Sequence, residues 1–389
     1  MRFLTAEKIH NGHGWLPEGS IIEVSDDGVI VSISNAPNKE AVFLEGILAP
    51  GFVNVHCHLE LCHMKGLVPE HTGLIPFLKN IPLHRNDFKE EQKKAARHKG
   101  YDELLQNGVV AVGDIANTTD SLDLRALDRL HCYTFVEALG FNEANAARSF
   151  NYAVETYNAY AAQHPGEKSL KQAIVPHAPY SVSSALFRLI DSHKDGVTIA
   201  IHNQESEEEN KYFTTKEGAV PDLLHALGID DGLFTPTGRT SLQSYLQWLS
   251  PGHPMIFVHN TYTRREDVQF AQSRCKEVFW CLCPNANLYI ENRLPDVEMF
   301  LSERANICIG TDSLASNHQL CILAELRSIK THYPKISWET LLTWGTWSGA
   351  CALQLQDIAG TIQPGKKPGI LQINGIDEQS VKPTVKRIA

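Results

Sequence analysis

The sequence has no long apolar run: nothing in its 389 residues approaches the ~18 consecutive apolar positions of a membrane-spanning helix. Its opening stretch, MRFLTAEKIHNGHGWL, has no apolar core and no small-residue cleavage site, so it does not read as a secretory leader. A cytoplasmic location is expected, with no membrane partner. The chain also lacks any cluster of Lys and Arg. Its 35 basic residues are outnumbered by 45 acidic ones, for a formal charge of −10. A surface of that sign repels phosphate backbones, which argues against nucleic acid as a partner. Regularly spaced cysteines are missing too. The nine present are odd in number and scattered through apolar segments, which fits buried, reduced thiols rather than a disulfide framework. Cys281-Leu-Cys283 lacks the two-residue spacer of a zinc knuckle. There is no low-complexity tract and no repeat of residue text.

What recurs is a pattern of elements. Eight short, β-rich apolar runs each end in polar residues: ILAPGFVNVHCH, VVAVGDIA, HCYTFVEALG, QAIVPHAP, VTIAIHNQE, MIFVHNTY, VFWCLCPNAN and NICIGTDS. Continuous rather than alternating hydrophobicity predicts strands buried on both faces. Stretches such as SSALFRLIDSHK and REDVQFAQSRCKE supply helices between them. Strand and helix alternating eight times predict an α/β fold, the TIM-type (β/α)8 barrel. The barrel is expected over residues 50–355, and a small β-sandwich formed by the N- and C-terminal segments, 1–49 and 356–389, is expected beside it. In the first segment IIEVSDDGVIVSIS alternates about an Asp-Gly turn, the mark of a hairpin. In the last, GTIQPGKKPGILQING reads as short strands with turns. The stretches from His58 to Tyr101 and from Glu205 to Pro251 are longer than a crossover needs, and predict insertions covering the barrel mouth.

A barrel of this kind delivers the last residue of every strand to one face. Those residues are His56 and His58, Asp114, Glu137, His177, His202 with Glu205 close behind, His259, Asn285 and Asp312. His56 and His58, two apart on a strand, point to the same side. Taken singly, none of these is decisive. A His-X-His pair arises easily by chance, His202 after VTIAI reads as a core histidine bonded to a carbonyl, and Asp312 after NICIG reads as a loop cap. Their coincidence at the strand ends of one barrel predicts a metal site of His56, His58, His202 and Asp312. Three imidazoles and a carboxylate suit Zn2+ or Fe2+ better than Ca2+ or Mg2+, which take all-oxygen shells. No lysine stands at the end of strand four to bridge a second ion, so one divalent ion is expected. Glu205, three residues past His202, is the expected general acid/base beside a metal-activated water. His259 is expected to orient the nucleophile or stabilise developing charge. His177 reads as a substrate contact, with a structural turn at PHAP as the alternative. Asp114 and Glu137 are polar residues of the mouth, and Glu137 is read as a second substrate contact.

The motifs GFVNVHCHLE, PHAPYSVS, HNQE, VHN and GTDS, in that order over nearly the whole chain, resemble those of the amidohydrolase superfamily. The resemblance is closest to its branch of mononuclear deaminases and chlorohydrolases, which includes cytosine, guanine and S-adenosylhomocysteine deaminases. It implies that His56, His58, His202 and Asp312 bind metal, that Glu205 protonates a ring nitrogen, and that His259 positions the attacking hydroxide. It further implies that Asp312 takes a proton from the water, that His177 meets substrate, and that a homodimer is a common state. The sequence departs from the usual pattern at ILAPGF, which lacks an extra apolar residue before PGF, and at KKPGIL, which lacks the acid of an Ala-Asp-Leu triplet. The implied reaction is hydrolytic deamination of a small amino-substituted aromatic heterocycle, purine or purine-nucleoside-like, with release of ammonia. Within that class, FVEALGFNE and GLIPFL are similar to segments of aminodeoxyfutalosine deaminases. The alternatives are a chlorohydrolase or cyclic amide hydrolase on the same scaffold, and a metal-loaded binding protein without catalysis.

Overall fold

The computed structural model describes residues 1–163, 170–194, 196–376 and 383–389. Four strands come first: β1 (Arg2–Ile9), β2 (Ile21–Val24), β3 (Ile30–Ser34) and β4 (Ala41–Pro50). Eight more follow: β5 (Phe52–Cys57), β6 (Val109–Ala116), β7 (His131–Ala138), β8 (Leu170–Pro176), β9 (Ile199–Asn203), β10 (Pro254–His259), β11 (Glu277–Leu282) and β12 (Asn306–Ile309). Each coincides with one of the eight apolar runs. Strands β13 (Ile370–Asn374) and β14 (Thr384–Arg387) complete the chain.

The eight central strands form two four-stranded parallel sheets, β5-β6-β7-β8 and β9-β10-β11-β12, in chain order. Every residue of β5, β6, β9 and β10 is buried, as unbroken apolar runs require of strands covered on both faces. Helices such as Ser184–Asp191 and Arg265–Arg274 lie between them, where the sequence places them. The two sheets approach each other at both edges through their carboxyl ends. His202 N–H donates to the His177 carbonyl at 3.0 Å, and the N–H groups of Thr311 and Asp312 donate to the His56 carbonyl at 3.0 and 3.1 Å.

The terminal segments pair with each other in one six-stranded sheet, ordered β14-β13-β4-β1-β2-β3. The expected hairpin is its β2–β3 pair, antiparallel about Asp26-Asp27-Gly28. Leu4, Ile22, Val24, Ile30, Leu48 and Ile370 make its apolar core. Strand β4 runs to Pro50 and β5 begins at Phe52, so this sheet leads directly into the parallel ones. All nine cysteines are free thiols, and among the described residues no helix is long and apolar enough to cross a membrane.

The expected insertions are helical. Between β5 and β6 stand the helices Leu74–His84 and Glu90–Gln106. Between β9 and β10 stand Glu207–Thr215, Val220–Ala226 and Ser241–Tyr245. Leu74, Phe77, Leu223 and Leu224 share an apolar cluster, so the two insertions pack into a common roof. One glycine sets how closely the first two parallel strands approach. A Cβ at Gly113 would lie 2.1 Å from the Val55 carbonyl oxygen, a contact that only backbone movement relieves. Gly113→Ala is therefore expected to cost about 1–3 kcal/mol, read as a lower melting temperature in calorimetry. An unchanged melt would mean that β5 and β6 separate freely enough to admit a methyl group.

Candidate active site

The carboxyl ends of the parallel strands bring the sequence-predicted ligands together. His58 Nε2 lies 3.2 Å from His56 Nε2 and 3.3 Å from His202 Nε2. Asp312 Oδ1 is 3.4 Å from both His56 Nε2 and His58 Nε2. His259 joins them: its ligand atom and those of His56, His202 and Asp312 all lie within 4.8 Å of one another. All five side chains are buried. His259 and Asp312 have left-handed backbones, with φ of 71° and 57°. That conformation is uncommon for non-glycine residues and concentrates at functional sites. Gly310 gives His56 its room, since a Cβ there would stand 2.9 Å from His56 Cβ and 3.0 Å from the thiols of Cys281 and Cys283.

Hydrogen bonds behind the rings fix which nitrogen carries the proton. The His177 carbonyl, 2.8 Å from His202 Nδ1, only accepts, so Nδ1 donates and the neutral ring keeps its lone pair on Nε2. His259 Nδ1 faces Asn287 Oδ1 at 2.8 Å. The Asn287 amide is oriented by its own donation to the His259 carbonyl at 3.2 Å, so this ring too carries its lone pair on Nε2. That atom has no hydrogen-bond partner among the described residues. Burial holds His56, His58, His202 and His259 below the usual imidazole pKa, hence neutral. Burial works against ionisation of Asp312, but the hydrogen bond from His56 and the neighbouring imidazoles outweigh it and hold the carboxyl well below its usual range. Ser316 Oγ donates to its other oxygen, Oδ2, at 2.5 Å. Lone pairs and an anionic oxygen thus face one point inside a buried site. That donor set fits a divalent ion of borderline softness such as zinc.

The ligand group forms the floor of a cavity of about 470 Å3, of the size that takes small molecules. Glu205 lines it, buried, with Oε1 3.6 Å from His259 Nε2. Burial raises its carboxyl pKa well above the usual range, and the charge of Asp312 adds to the effect. His177 also lines the cavity. Its Nδ1 is 2.8 Å from Ser181 Oγ, and burial lowers its pKa to about 4. Glu137 faces His202 Nδ1 at 3.3 Å and accepts from Asn117 Nδ2 at 2.8 Å. Burial pushes its pKa up to about 8.

Two of the strand-end residues go elsewhere. Asn285 binds Glu325 through its backbone N–H and side-chain amide, at 2.8 and 2.9 Å. Asp114 is buried, its Oδ1 receiving Leu59 N–H at 3.4 Å. Sequence reasoning did not find Asn287, Ser316 or Asn117. Asn287 lies two residues past Asn285 in the same PNAN segment, and Ser316 lies four past Asp312, so proximity in the chain was the available signal. Asp312→Ala is expected to lower zinc affinity by more than the about 10–100-fold typical of losing a ligand's outer partner, measured by competition with a chelator. Unchanged affinity would remove Asp312 from the ligand set.

Comparison with known proteins bears on the fold and the family. Over 393 aligned residues the chain is 26% identical to an adenosine deaminase of Helicobacter pylori, covering 98% of this chain and 91% of that one. Its fold matches that of the Helicobacter pylori aminofutalosine deaminase solved in complex with methylthio-coformycin, with a TM-score of 0.81 at 21% identity over 100% of both chains. It also matches an adenosine deaminase from Xanthomonas campestris solved with bound zinc, with a TM-score of 0.74 at 20% identity over 98% of this chain and 87% of that one. Residues 47–387 match the family described as Amidohydrolase family, and the chain belongs to the amidohydrolase family.

Proposed function

We propose that this protein is a metal-dependent hydrolytic deaminase that acts on a purine-nucleoside-like amino heterocycle and releases ammonia. The observation that carries the reading is the Glu205 carboxyl. It is buried, raised in pKa, and sited on the cavity wall beside His259 and the ligand group. A raised folded-state pKa favours the protonated form, which is what a general acid needs. The names of the relatives, adenosine and aminofutalosine deaminases, support the substrate class.

We read the two parallel sheets as halves of one (β/α)8 barrel, because their eight strands run in chain order and their edges exchange hydrogen bonds at both seams. Residues 50–355 then make the catalytic barrel. The described residues of 1–49 and 356–389 make the flanking β unit, whose six-stranded sheet covers a core around Ile22, Leu48 and Ile370.

His56, His58, His202 and Asp312 would hold the ion. Bound there, Zn2+ or Fe2+ supplies the Lewis acidity that makes water a nucleophile near neutral pH. The protein's own groups move the protons. Asp312 accepts one from the attacking water, whose oxygen bonds to the ring carbon bearing the amino group. Glu205 gives its proton to the adjacent ring nitrogen, and the carbon becomes tetrahedral. His259 Nε2, free of other partners among the described residues, holds the incoming oxygen in line. Asp312 then passes its proton to the amino group, the C–N bond breaks, ammonia leaves, and Glu205 recovers its proton as the carbonyl forms. His177 donates to the base, and Glu137 with Asn117 meets the polar groups of the sugar.

A binding protein without catalysis has no use for a buried carboxyl beside the ligand group, and Glu205 speaks against that reading. Glu205→Gln is expected to keep the metal and lower kcat by about 10²–10⁴, followed as ammonia release from 5′-deoxyadenosine and adenosine. Turnover equal to the parent would take Glu205 out of the mechanism. Chloride release from chlorotriazines without any ammonia release from nucleosides would replace deamination by dechlorination.

A further inference from the structure

One helix serves both the ligand group and the roof of the cavity. It is Pro284–Glu291, which follows β11. Its first turn carries Asn287, which holds His259. Its last residue, Glu291, is half-buried and divides its carboxylate between two other elements. Oε1 accepts the Leu74 N–H at 2.7 Å, and Oε2 accepts the Tyr262 hydroxyl at 3.0 Å. We propose that Glu291 is a positioning residue: through these two bonds it sets the helix that roofs the cavity and the turn that carries Glu205 in one register, so that roof and acid meet the substrate together. This rests on the deaminase reading, in which Glu205 is the acid, and adds to it a residue that does not itself line the cavity.

The first arm ends on the helix Leu74–His84, whose Leu74, Phe77, Leu78 and Ile81 line the cavity. The chain enters this helix through two left-handed residues, His71 and Gly73, with φ of 60° and 77°. The N-cap, Gly73, has no side chain to take a free N–H. The first N–H of the helix turns to Glu291 instead, and the carboxylate meets the positive end of the helix dipole. Backbone bonds run beside it. His71 N–H donates to the Tyr289 carbonyl at 2.6 Å and Gly73 N–H to the Ile290 carbonyl at 3.0 Å. The Tyr289 hydroxyl donates to the Val68 carbonyl at 2.6 Å. The roof helix thus hangs from the end of Pro284–Glu291, with Glu291 as the side chain that caps it.

The second arm ends on Tyr262, three residues past His259. Tyr262 N–H donates to the Gln204 carbonyl at 2.9 Å, and Gln204, with φ of 45°, forms the turn from which Glu205 reaches the cavity wall. The Asn210 amide donates to the Tyr262 carbonyl at 3.4 Å. The Arg293 guanidinium lies 4.6 Å from the centre of the Tyr262 ring. Backbone and ring are therefore held, and Glu291 holds the hydroxyl. A left-handed residue other than glycine persists where its surroundings over-determine it, and Tyr262 is one of the partners that do so for Gln204. Hydrogen bonds to an ionised acceptor are stronger than those between neutral groups, and Glu291 makes two that pull on different elements. Cutting one frees the carboxylate to swing about the other, which loosens both ends.

Two measurements on the metallated enzyme test this: ammonia release from adenosine, 5′-deoxyadenosine and 5′-methylthioadenosine, and amide hydrogen exchange. Glu291→Ala is expected to lower kcat by about tenfold. Tyr262→Phe is expected to lower it by about threefold with KM within about twofold of the parent's. Glu291→Gln, which keeps an oxygen for the Leu74 N–H, is expected to recover most of the activity. In a Glu205→Gln background Glu291→Ala should cost no further kcat, because residues that act as a unit do not add. Tyr262→Phe should also speed exchange of the Leu74 amide by about threefold or more, although it leaves the Glu291–Leu74 pair itself intact. Should Glu291→Ala fail to fold, Tyr262→Phe carries the same test. A Glu291→Ala enzyme with the parent's kcat and only a lower melting temperature would reduce Glu291 to a helix cap and overturn the proposal. So would a full further loss in the Glu205→Gln background, or a Leu74 amide that Tyr262→Phe leaves unmoved. Faster Leu74 exchange with no ammonia from any of the nucleosides would uphold the link between the arms and sink the deaminase reading. Ammonia release with kcat and Leu74 exchange both unmoved by Tyr262→Phe would do the reverse.

Discussion

Everything at the carboxyl ends of the strands depends on one arrangement: buried lone pairs directed at a single point. Neutral imidazoles and a carboxylate are costly to bury without partners, and here they crowd together at 3.2–3.4 Å. The structure tolerates this because the opposite edges of His202, His259 and Asp312 are held. His202 leans on the His177 carbonyl, His259 on Asn287, and Asp312 on Ser316. These bonds do two jobs at once. They fix ring orientation, and by claiming one nitrogen they present the other as a ligand.

The same logic governs the other buried acids. Glu60, Asp114, Glu137, Glu209 and Glu325 all have pKa values raised by burial. Most serve as hydrogen-bond hubs between strand ends and insertions. Glu209 takes the Gln204 N–H at 2.9 Å and the Ser241 hydroxyl, tying the helices after β9 to the strand that carries His202. Asp267 receives Gln204, Thr240 and Gln243 at 3.0, 2.5 and 2.8 Å and joins the next strand's helix to the same knot. Gln204 at the centre of it has φ of 45°, a strained turn that these bonds over-determine. It is this turn that carries Glu205 out of the strand and into the cavity. Glu60 does the corresponding work for the first insertion, holding Arg85 at one end and Asn117, hence Glu137, at the other.

What was legible in the sequence follows from which physical signals are local. Burial on both faces makes each parallel strand an unbroken apolar run, so all eight were visible, and the polar residue ending each run marked the face where side chains converge. His56, His58, His202 and Asp312 were among the residues that rule brought to one face. The rule failed where a chain leaves its strand by an irregular turn. Asn285 occupies the expected place but faces Glu325, while Asn287, on the first turn of the following helix, reaches back to His259. Ser316 and Asn117 were hidden for a related reason: their partners are set by loop conformation, which hydrophobic periodicity does not encode. The joining of the two chain ends in one six-stranded sheet was readable as strands, but their order depends on pairings hundreds of residues apart.

This division between local and distant signals matches a division of labour. The ligand group is built on strand ends, where backbone geometry is shared by the whole sheet and a shift of half an ångström would spoil the convergence. The walls are built on two helical insertions that touch each other through Leu and Phe side chains and are anchored to the strands at a few polar points. Side chains on such helices stand apart from the ligand group on the strand ends. The ligand group is therefore set by the sheets, while the shape of the space above it is set by the insertions. That is why strand-end residues pointed to a metal site with an acid/base, and the resemblance to a reaction, while the walls between the insertions took form only in the folded chain.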